Sequence, residues 1–335
     1  MGPYSTSVHS GSSVMQQKVF MLWRDGLHVP DYLRNSFVAI GNFDGVHQGH
    51  RALFKTVQNM ADEHKKHSAI LTFEPHPQQF FNPQKPFFRL TPEDIKLEIL
   101  AHQGVDGVFL KTFDTTLAQL SAEDFMSWLF NDLAVAGLVI GHDFHFGAKR
   151  FGTPDILTGE CLKRSIPLIQ VAPVSIDGTI VSSSVIRSAL HEGAITRANL
   201  FLGYRWFVRS SVEYGDQRGA SILGFPTANM TLAHHCPLKF GVYAVRTRFK
   251  GQCINGVASF GRRPTFDNGA PKLEVHLFDF SDNIYGLSVD VEFVDFLRGE
   301  KRFSGIEELV NAMKKDCETA QKILRSDKTA SVFDT

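Results

Sequence analysis

Cysteine is scarce in this sequence. Cys161, Cys236, Cys253 and Cys317 are the only four among 335 residues, and no two stand at Cys-x-x-Cys spacing. A zinc ribbon or a redox dithiol needs that spacing, so neither is signalled, and the thiols read as buried and reduced. Net charge is lacking too. Lys and Arg total 35 and Asp and Glu total 35, so the overall balance does not call for nucleic acid as a partner. The longest apolar stretch, around Leu133–Ile140, is far short of the ~20 residues of a membrane-spanning helix. The opening MGPYSTSVHSGSSVMQQ has no apolar core of the kind a secretory signal carries, and residues 1–16 read as a disordered tail. A cytoplasmic protein without a membrane partner is expected. Two phosphate-binding signatures are also missing: there is no G-x-x-x-x-G-K-[ST] and no G-x-G-x-x-G.

What is present suffices for a core. Hydrophobic residues make up 43% of the chain, which excludes disorder as the main state, and the length suggests about two domains. The two halves are patterned differently. Short apolar runs at Phe37–Ile40, Ala69–Phe73, Val105–Leu110, Leu138–Ile140 and Leu168–Val171 alternate with segments carrying helix-start chemistry. Thr91-Pro92-Glu93-Asp94 offers a cap, a first-turn proline and acids at the positive end of the dipole. Ser121-Ala122-Glu123-Asp124 resembles a capping box, and Thr153-Pro154-Asp155 repeats the cap-and-proline pattern. This alternation predicts a doubly wound parallel sheet with crossover helices, whose ligands sit beyond the carboxyl ends of the strands.

Helical stretches at Ser183–Leu190 and Ile195–Leu202 close the first half. Strands then follow one another. Tyr243, Val245, Thr247 and Phe249 recur with period two, as do Leu273, Val275 and Leu277, and Leu287, Val289, Val291 and Phe293. Lys250-Gly251 reads as a hairpin turn. A small antiparallel β-barrel is expected here, ending in an amphipathic helix that carries Ile306, Leu309, Val310, Met313, Cys317, Ala320 and Ile323. The expected organisation is tail 1–16, α/β domain 17–200 and barrel domain 201–335.

The most informative segment is Gly41-Asn42-Phe43-Asp44-Gly45-Val46-His47-Gln48-Gly49-His50, between the first run and a helix expected at Ala52–Met60. Its glycines permit a tight turn and close backbone approach, and a helix N-terminus suits phosphate. His47 and His50 stand there as donors to phosphate oxygens. A metal pair is the competing reading, without a third ligand at sensible spacing. Three further segments fall at the same expected edge: Phe73-Glu74-Pro75-His76-Pro77; Gly141-His142-Asp143-Phe144-His145-Phe146-Gly147 with Lys149, Arg150 and Gly152; and Ser182-Ser183-Ser184-Val185-Ile186-Arg187.

With these segments the chain resembles the prokaryotic bifunctional riboflavin kinase/FMN adenylyltransferases over roughly residues 18–325. The resemblance implies a nucleotidyltransferase-type first half that binds ATP and FMN. There His47 and His50 would be catalytic, and Gly41, Phe43, Gly45, Asp143, Ser183, Ser184 and Arg187 would lie at the nucleotide. It also assigns Phe73, Pro75 and His76 to flavin. Gly224-Phe225-Pro226-Thr227-Ala228-Asn229 matches the riboflavin kinase motif, which implies nucleotide contacts at Gly224 and Pro226 and Mg²⁺ at Thr227 and Asn229. Glu274, in Leu-Glu-Val-His-Leu, matches the family's catalytic base, and Arg298 and Phe303 match a flavin-closing segment. Gly241-Val242-Tyr243 and Gly261-Arg262-Arg263-Pro264-Thr265-Phe266 resemble substrate loops. Ser259-Phe260-Gly261 departs from the usual Asn-Ile-Gly, and His145 from the usual residue at its place. The implied substrates are riboflavin, FMN and ATP. Two alternatives stand beside this: another nucleotidyltransferase, which leaves Pro226–Asn229 and Glu274 unexplained, and a flavin-responsive binding protein without turnover.

Overall fold

The computed structural model describes residues 20–214, 226–233, 235–262 and 271–334. The expected tail, Gly224 and the loop residues 263–266 lie outside them. Two compact units divide after Val181.

The first unit is built on a six-stranded parallel sheet in the order β1-β4-β3-β2-β5-β6. The strands are β1 (Met21–Arg24), β2 (Phe37–Ile40), β3 (Ser68–Glu74), β4 (Gly107–Thr112), β5 (Gly137–Gly141) and β6 (Leu168–Val171). β2 and β3 are buried along their whole length, as strands covered on both faces must be, whereas β1 and β6 at the edges are half open. β1 adds a strand that the sequence pattern did not predict. The apolar run Val19–Trp23 stands there in the sequence, but of the four strand residues only Trp23 is buried. From β2 the chain winds outward through β3 and β4, then returns to place β5 on the other side of β2. The strand order therefore reverses between β2 and β5, the place where open sheets of this kind form a crevice.

Helix α1 (Gln48–Glu63) packs on β2, β3, β5 and β6 through Leu53, Phe54, Val57, Met60 and Ala61. It starts earlier than the expected Ala52, because the His47 ring caps it. α2 (Pro77–Phe81), α3 (Glu93–Ala101), α4 (Thr115–Gln119), α5 (Ala122–Ser127, running into a π turn at Trp128–Asp132) and α6 (Pro154–Lys163) complete the layers. Ser121 and Thr153 cap α5 and α6 as expected. Thr91 does not cap α3, whose first residue follows Pro92 without a side-chain cap. A short hairpin, β7 (Ser175–Ile176) and β8 (Thr179–Ile180), turns at Asp177-Gly178, both at positive φ.

The second unit opens with α7 (Ser183–Glu192) and α8 (Ile195–Leu202). It continues as an antiparallel sheet in the order β10-β13-β12-β11-β14-β9. These strands are β9 (Phe207–Ser211), β10 (Ala228–Thr231), β11 (Gly241–Phe249), β12 (Gln252–Gly261), β13 (Lys272–Leu277) and β14 (Ser288–Arg298). The sheet nearly closes on itself: past the end of β9, the Glu213 N–H donates to the Asn229 carbonyl on β10 at 2.8 Å. Register shifts between β11 and β14 supply the bend that closure needs. The expected period-two positions fill the interior, with Tyr243, Val245, Leu273, Val275, Val291 and Phe293 all fully buried. Lys250 and Gly251 take positive φ in the predicted hairpin turn.

α8 lies on β14, where Asn199 donates to the Phe293 carbonyl and accepts from the Trp206 N–H, each at 2.8 Å. The terminal helix α9 (Ile306–Ser326) covers β11, β12 and β14 through Ala320 and Leu324. Ile306, expected on its apolar face, is exposed. The cysteines are free, and Cys253 is exposed rather than buried, because it stands at the open start of β12.

Candidate functional sites

In the first unit the segment Gly41–His50 leaves β2 at the reversal point, and the segment from Gly141 leaves β5 beside it. Both lie at carboxyl ends, where the sequence placed them. The turn is tight: Phe43, Gly45 and Val46 all have positive φ, at 53°, 84° and 39°. For a β-branched valine this is strained, so the surroundings must hold the loop. A Cβ on Gly41 would meet the Phe43 ring at 2.9 Å.

The restraint comes from the segment just before α3. The buried Asp44 carboxylate accepts the N–H groups of Leu90 and Thr91 at 3.3 and 3.1 Å. The Thr91 hydroxyl, freed from capping, accepts the Gly45 N–H at 2.9 Å. Neither Asp44 nor Thr91 was singled out from sequence for this role, since an Asp in a glycine turn and a Thr before Pro-Glu each have a local explanation.

His47 is buried, and its Nδ1 accepts the backbone N–H of His50 at 3.3 Å. In the neutral ring the proton therefore sits on Nε2, leaving that nitrogen a donor. The two imidazoles stack with centroids 3.5 Å apart, and the Phe43 ring meets His50 edge-on at 5.2 Å. Burial pushes His47 down to about 4. His50 is held well below the usual imidazole range, first by burial, then by His47 and Lys96. Both rings are uncharged at neutral pH.

At the end of β3, Glu74 is the hub of a buried ion cluster. Arg89 donates to it at 2.6 Å, and Lys96 pairs with it from α3. Burial alone would raise the Glu74 carboxyl, but the hydrogen bonds and charges of Arg89 and Lys96 hold it below its ordinary value. Phe73 points into the core, where it meets Phe113, and Pro75 follows a cis peptide bond. His76 caps α2 by accepting the Gln78 N–H at 3.1 Å, with its ring against Phe87.

Beyond β5, Asp143 is exposed beside His142, whereas Phe146 is buried between Phe125 and Phe144. Ser183, Ser184 and Arg187 belong to the second unit, on the first turns of α7, where the Ser182 hydroxyl caps by accepting the Val185 N–H at 3.3 Å.

The second unit brings Thr227, Asn229 and Glu274 together. Asn229 on β10 stands directly opposite Glu274 on β13, and Glu274 in turn faces Ser259 on β12. Opposed residues of an antiparallel pair have Cβ atoms only ~5 Å apart on one face. Leu273, Val275 and Leu277 point into the core, so Glu274 and His276 share the other face. The Asn229 side-chain N–H donates to the Thr227 carbonyl at 3.1 Å, which leaves its Oδ1 as an acceptor. His276 Nδ1 donates to the Pro226 carbonyl at 2.9 Å and ties the exposed Pro226 to β13. Neutral Thr and Asn oxygens beside one carboxylate suit a hard divalent cation that also takes phosphate oxygens. Among the described residues no cluster of three His, Cys, Asp or Glu offers another cation cage.

Arg298 is engaged with α9: it donates to the buried Asp316 at 2.7 and 3.0 Å and lies over the Phe303 ring. Gly241 has φ 154°, and a Cβ there would clash with the Arg298 carbonyl oxygen.

Comparison with known proteins assigns each unit a relative. The FAD synthetase family profile matches residues 29–185, and the riboflavin kinase profile matches residues 202–324. The bifunctional riboflavin kinase/FMN adenylyltransferase of Haemophilus influenzae is 38% identical over 90% of this chain and 98% of its own. That of Bacillus subtilis is 35% identical over 85% and 91%. A solved structure described as a macrolide-efflux protein from Streptococcus pneumoniae superposes with a TM-score of 0.77 at 28% identity, covering 92% of this chain and 99% of that one. Among the described residues no helix is long and apolar enough to cross a membrane.

Proposed function

This chain belongs to the bifunctional riboflavin kinase/FMN adenylyltransferase family, and we propose from that membership and from its two sites that it makes FMN from riboflavin and then FAD from FMN. The observation that carries the reading is the separation of two kinds of chemistry. Paired neutral imidazoles stand at the reversal of the parallel sheet, and a carboxylate stands opposite an asparagine in the barrel unit.

In the first reaction Glu274 accepts the proton of the riboflavin 5′-hydroxyl as its oxygen attacks the γ-phosphorus of ATP, and ADP leaves. Thr227 and Asn229 would hold Mg²⁺; when bound, that ion offsets the charge on the phosphates. Family resemblance adds Gly224 and Pro226 at the nucleotide and Arg298 and Phe303 at the flavin. The second reaction needs no strong base, since the FMN phosphate is already anionic. Its oxygen attacks the α-phosphorus of ATP, and pyrophosphate leaves. His47 donates from Nε2 to the phosphate oxygen on which charge builds, with His50 stacked against it. Gly41, Phe43 and Gly45 shape the loop. Family resemblance assigns Asp143, Ser183, Ser184 and Arg187 to the nucleotide, and Phe73, Pro75 and His76 to the flavin. The working division is an adenylyltransferase domain over 17–200 and a kinase domain over 201–335, in a cytoplasmic enzyme.

The test is incubation with riboflavin, Mg²⁺ and ATP, followed by chromatography. Wild type should yield FMN and FAD, His47→Ala FMN alone, and Glu274→Gln neither, unless FMN is supplied. A wild-type protein that makes neither product, or a Glu274→Gln variant with full kinase turnover, would refute the reading.

A further inference from the structure

Lys96 belongs to none of the segments that suggested a function, yet it is only 1% exposed. A buried lysine needs partners, and a structural ion pair with Glu74 would be enough. Glu74, however, is already held by Arg89. Lys96 is the second cation on that carboxylate, and its other contacts go elsewhere. Its ammonium donates to the Thr72 hydroxyl at 3.1 Å, the Phe73 carbonyl at 3.3 Å and the Asn42 carbonyl at 3.4 Å.

Asn42 lies in the histidine loop. The segment leading into the same helix grips that loop again at Asp44 and Gly45, through Leu90 and Thr91. The two grips bracket Phe43, whose ring rests against His50. A strained loop is thus fixed by α3 and the residues that lead into it.

We propose that Lys96 is a positioning residue for adenylyl transfer: its ammonium holds the Asn42 carbonyl and so fixes the loop that carries the His47/His50 pair. This rests on the assignment of that pair to adenylyl transfer. A neutral N–H donor stabilises charge that builds during the reaction without gripping the triphosphate equally beforehand.

Several elements surround the pair. Asp143, after β5, bears on His47, while Lys96 of α3, paired with Glu74 of β3, bears on His50 together with His47 itself. β2, β5 and β6 contribute no ionisable side chain. Of these groups, His47 and Lys96 are the charges that push His50 down, beyond the effect of burial.

The experiment uses the full chain with Lys96→Gln and Lys96→Arg. Removing a cation near His50 favours its protonated form, so the pH at which His50 takes up its proton should rise in Lys96→Gln. It should stay in place in Lys96→Arg. In Lys96→Gln the kcat for FAD should fall about tenfold or more, with a much smaller change in the KM for ATP. Riboflavin phosphorylation in the same sample should match wild type.

NMR titration of ¹³C-labelled histidine reads His50 directly. It should titrate far below an ordinary imidazole in wild type and move upward in Lys96→Gln. An unchanged kcat for FAD in Lys96→Gln would overturn the proposal, and so would an unmoved His50 titration, even if the rate fell. So would an ordinary His50 titration in wild type, which needs no variant to fold. Absence of FAD synthesis in wild type, with the Lys96–His50 coupling intact, would instead overturn the assigned reaction.

Discussion

The Nδ1 of His47 accepts the backbone N–H of His50, so one histidine caps the helix that carries the other. This bond requires an unprotonated Nδ1. Protonating His47 breaks the cap and places a charge in a buried site.

The first prediction concerns acid stability. His47 titrates at about 4 in the folded chain, against an ordinary imidazole value of about 6.5. Between those values the unfolded chain binds the proton and the folded chain does not, so stability rises with pH across the window. The contribution is fully present above about pH 6.5 and is lost as pH falls towards 4, on the order of 3 kcal/mol in all. Denaturant titrations of the N-terminal unit from pH 7 to 4 should show this slope, and His47→Gln should flatten it.

Asp44→Asn should lower FAD formation about a hundredfold and leave riboflavin phosphorylation intact. The carboxylate accepts two backbone N–H groups, and an amide can turn only one oxygen towards them. The loop loosens and the imidazoles lose their aim. Steady-state rates for both reactions check this, and equal loss in both would contradict it.

Asn229→Ala should raise the Mg²⁺ concentration that half-saturates riboflavin phosphorylation about tenfold or more. The substitution removes the Oδ1 that the Thr227 carbonyl orients. The Mg²⁺ dependence of FMN adenylylation should not change. Metal titrations of the two reactions in the same preparation separate these outcomes.

Gly241→Ala should unfold the barrel or abolish its kinase activity. Its φ of 154° and the clash of the new Cβ with the Arg298 carbonyl leave only backbone movement as relief, at a cost of about 1–3 kcal/mol or more. Thermal unfolding of the variant should show an earlier transition for the C-terminal unit.

Period and punctuation made much of the fold legible. Val275 and Val291 could be assigned to the barrel interior from alternation alone, and Lys250-Gly251 marked its own hairpin. Ser121 and Thr153 announced their helices because capping is a local interaction. Thr91 gave the same local signal, yet its hydroxyl serves Gly45, 46 residues earlier in the chain. Lys96 stayed hidden for a related reason. A lysine beside Ile95 reads as the solvent side of a helix until Glu74 and Asn42 are brought to it. The engagement of Arg298 with Asp316 is legible only once α9 is in place.

The near-closure of the barrel makes Asn229 answer to two neighbours at once. Its main-chain oxygen receives the Glu213 amide proton, while its side chain faces Glu274. Anything that pulls on that side chain tugs the same peptide seam. The Glu213 amide is therefore a native probe of the kinase centre: its hydrogen-exchange rate should slow when Mg·ATP docks, with no label attached to the protein.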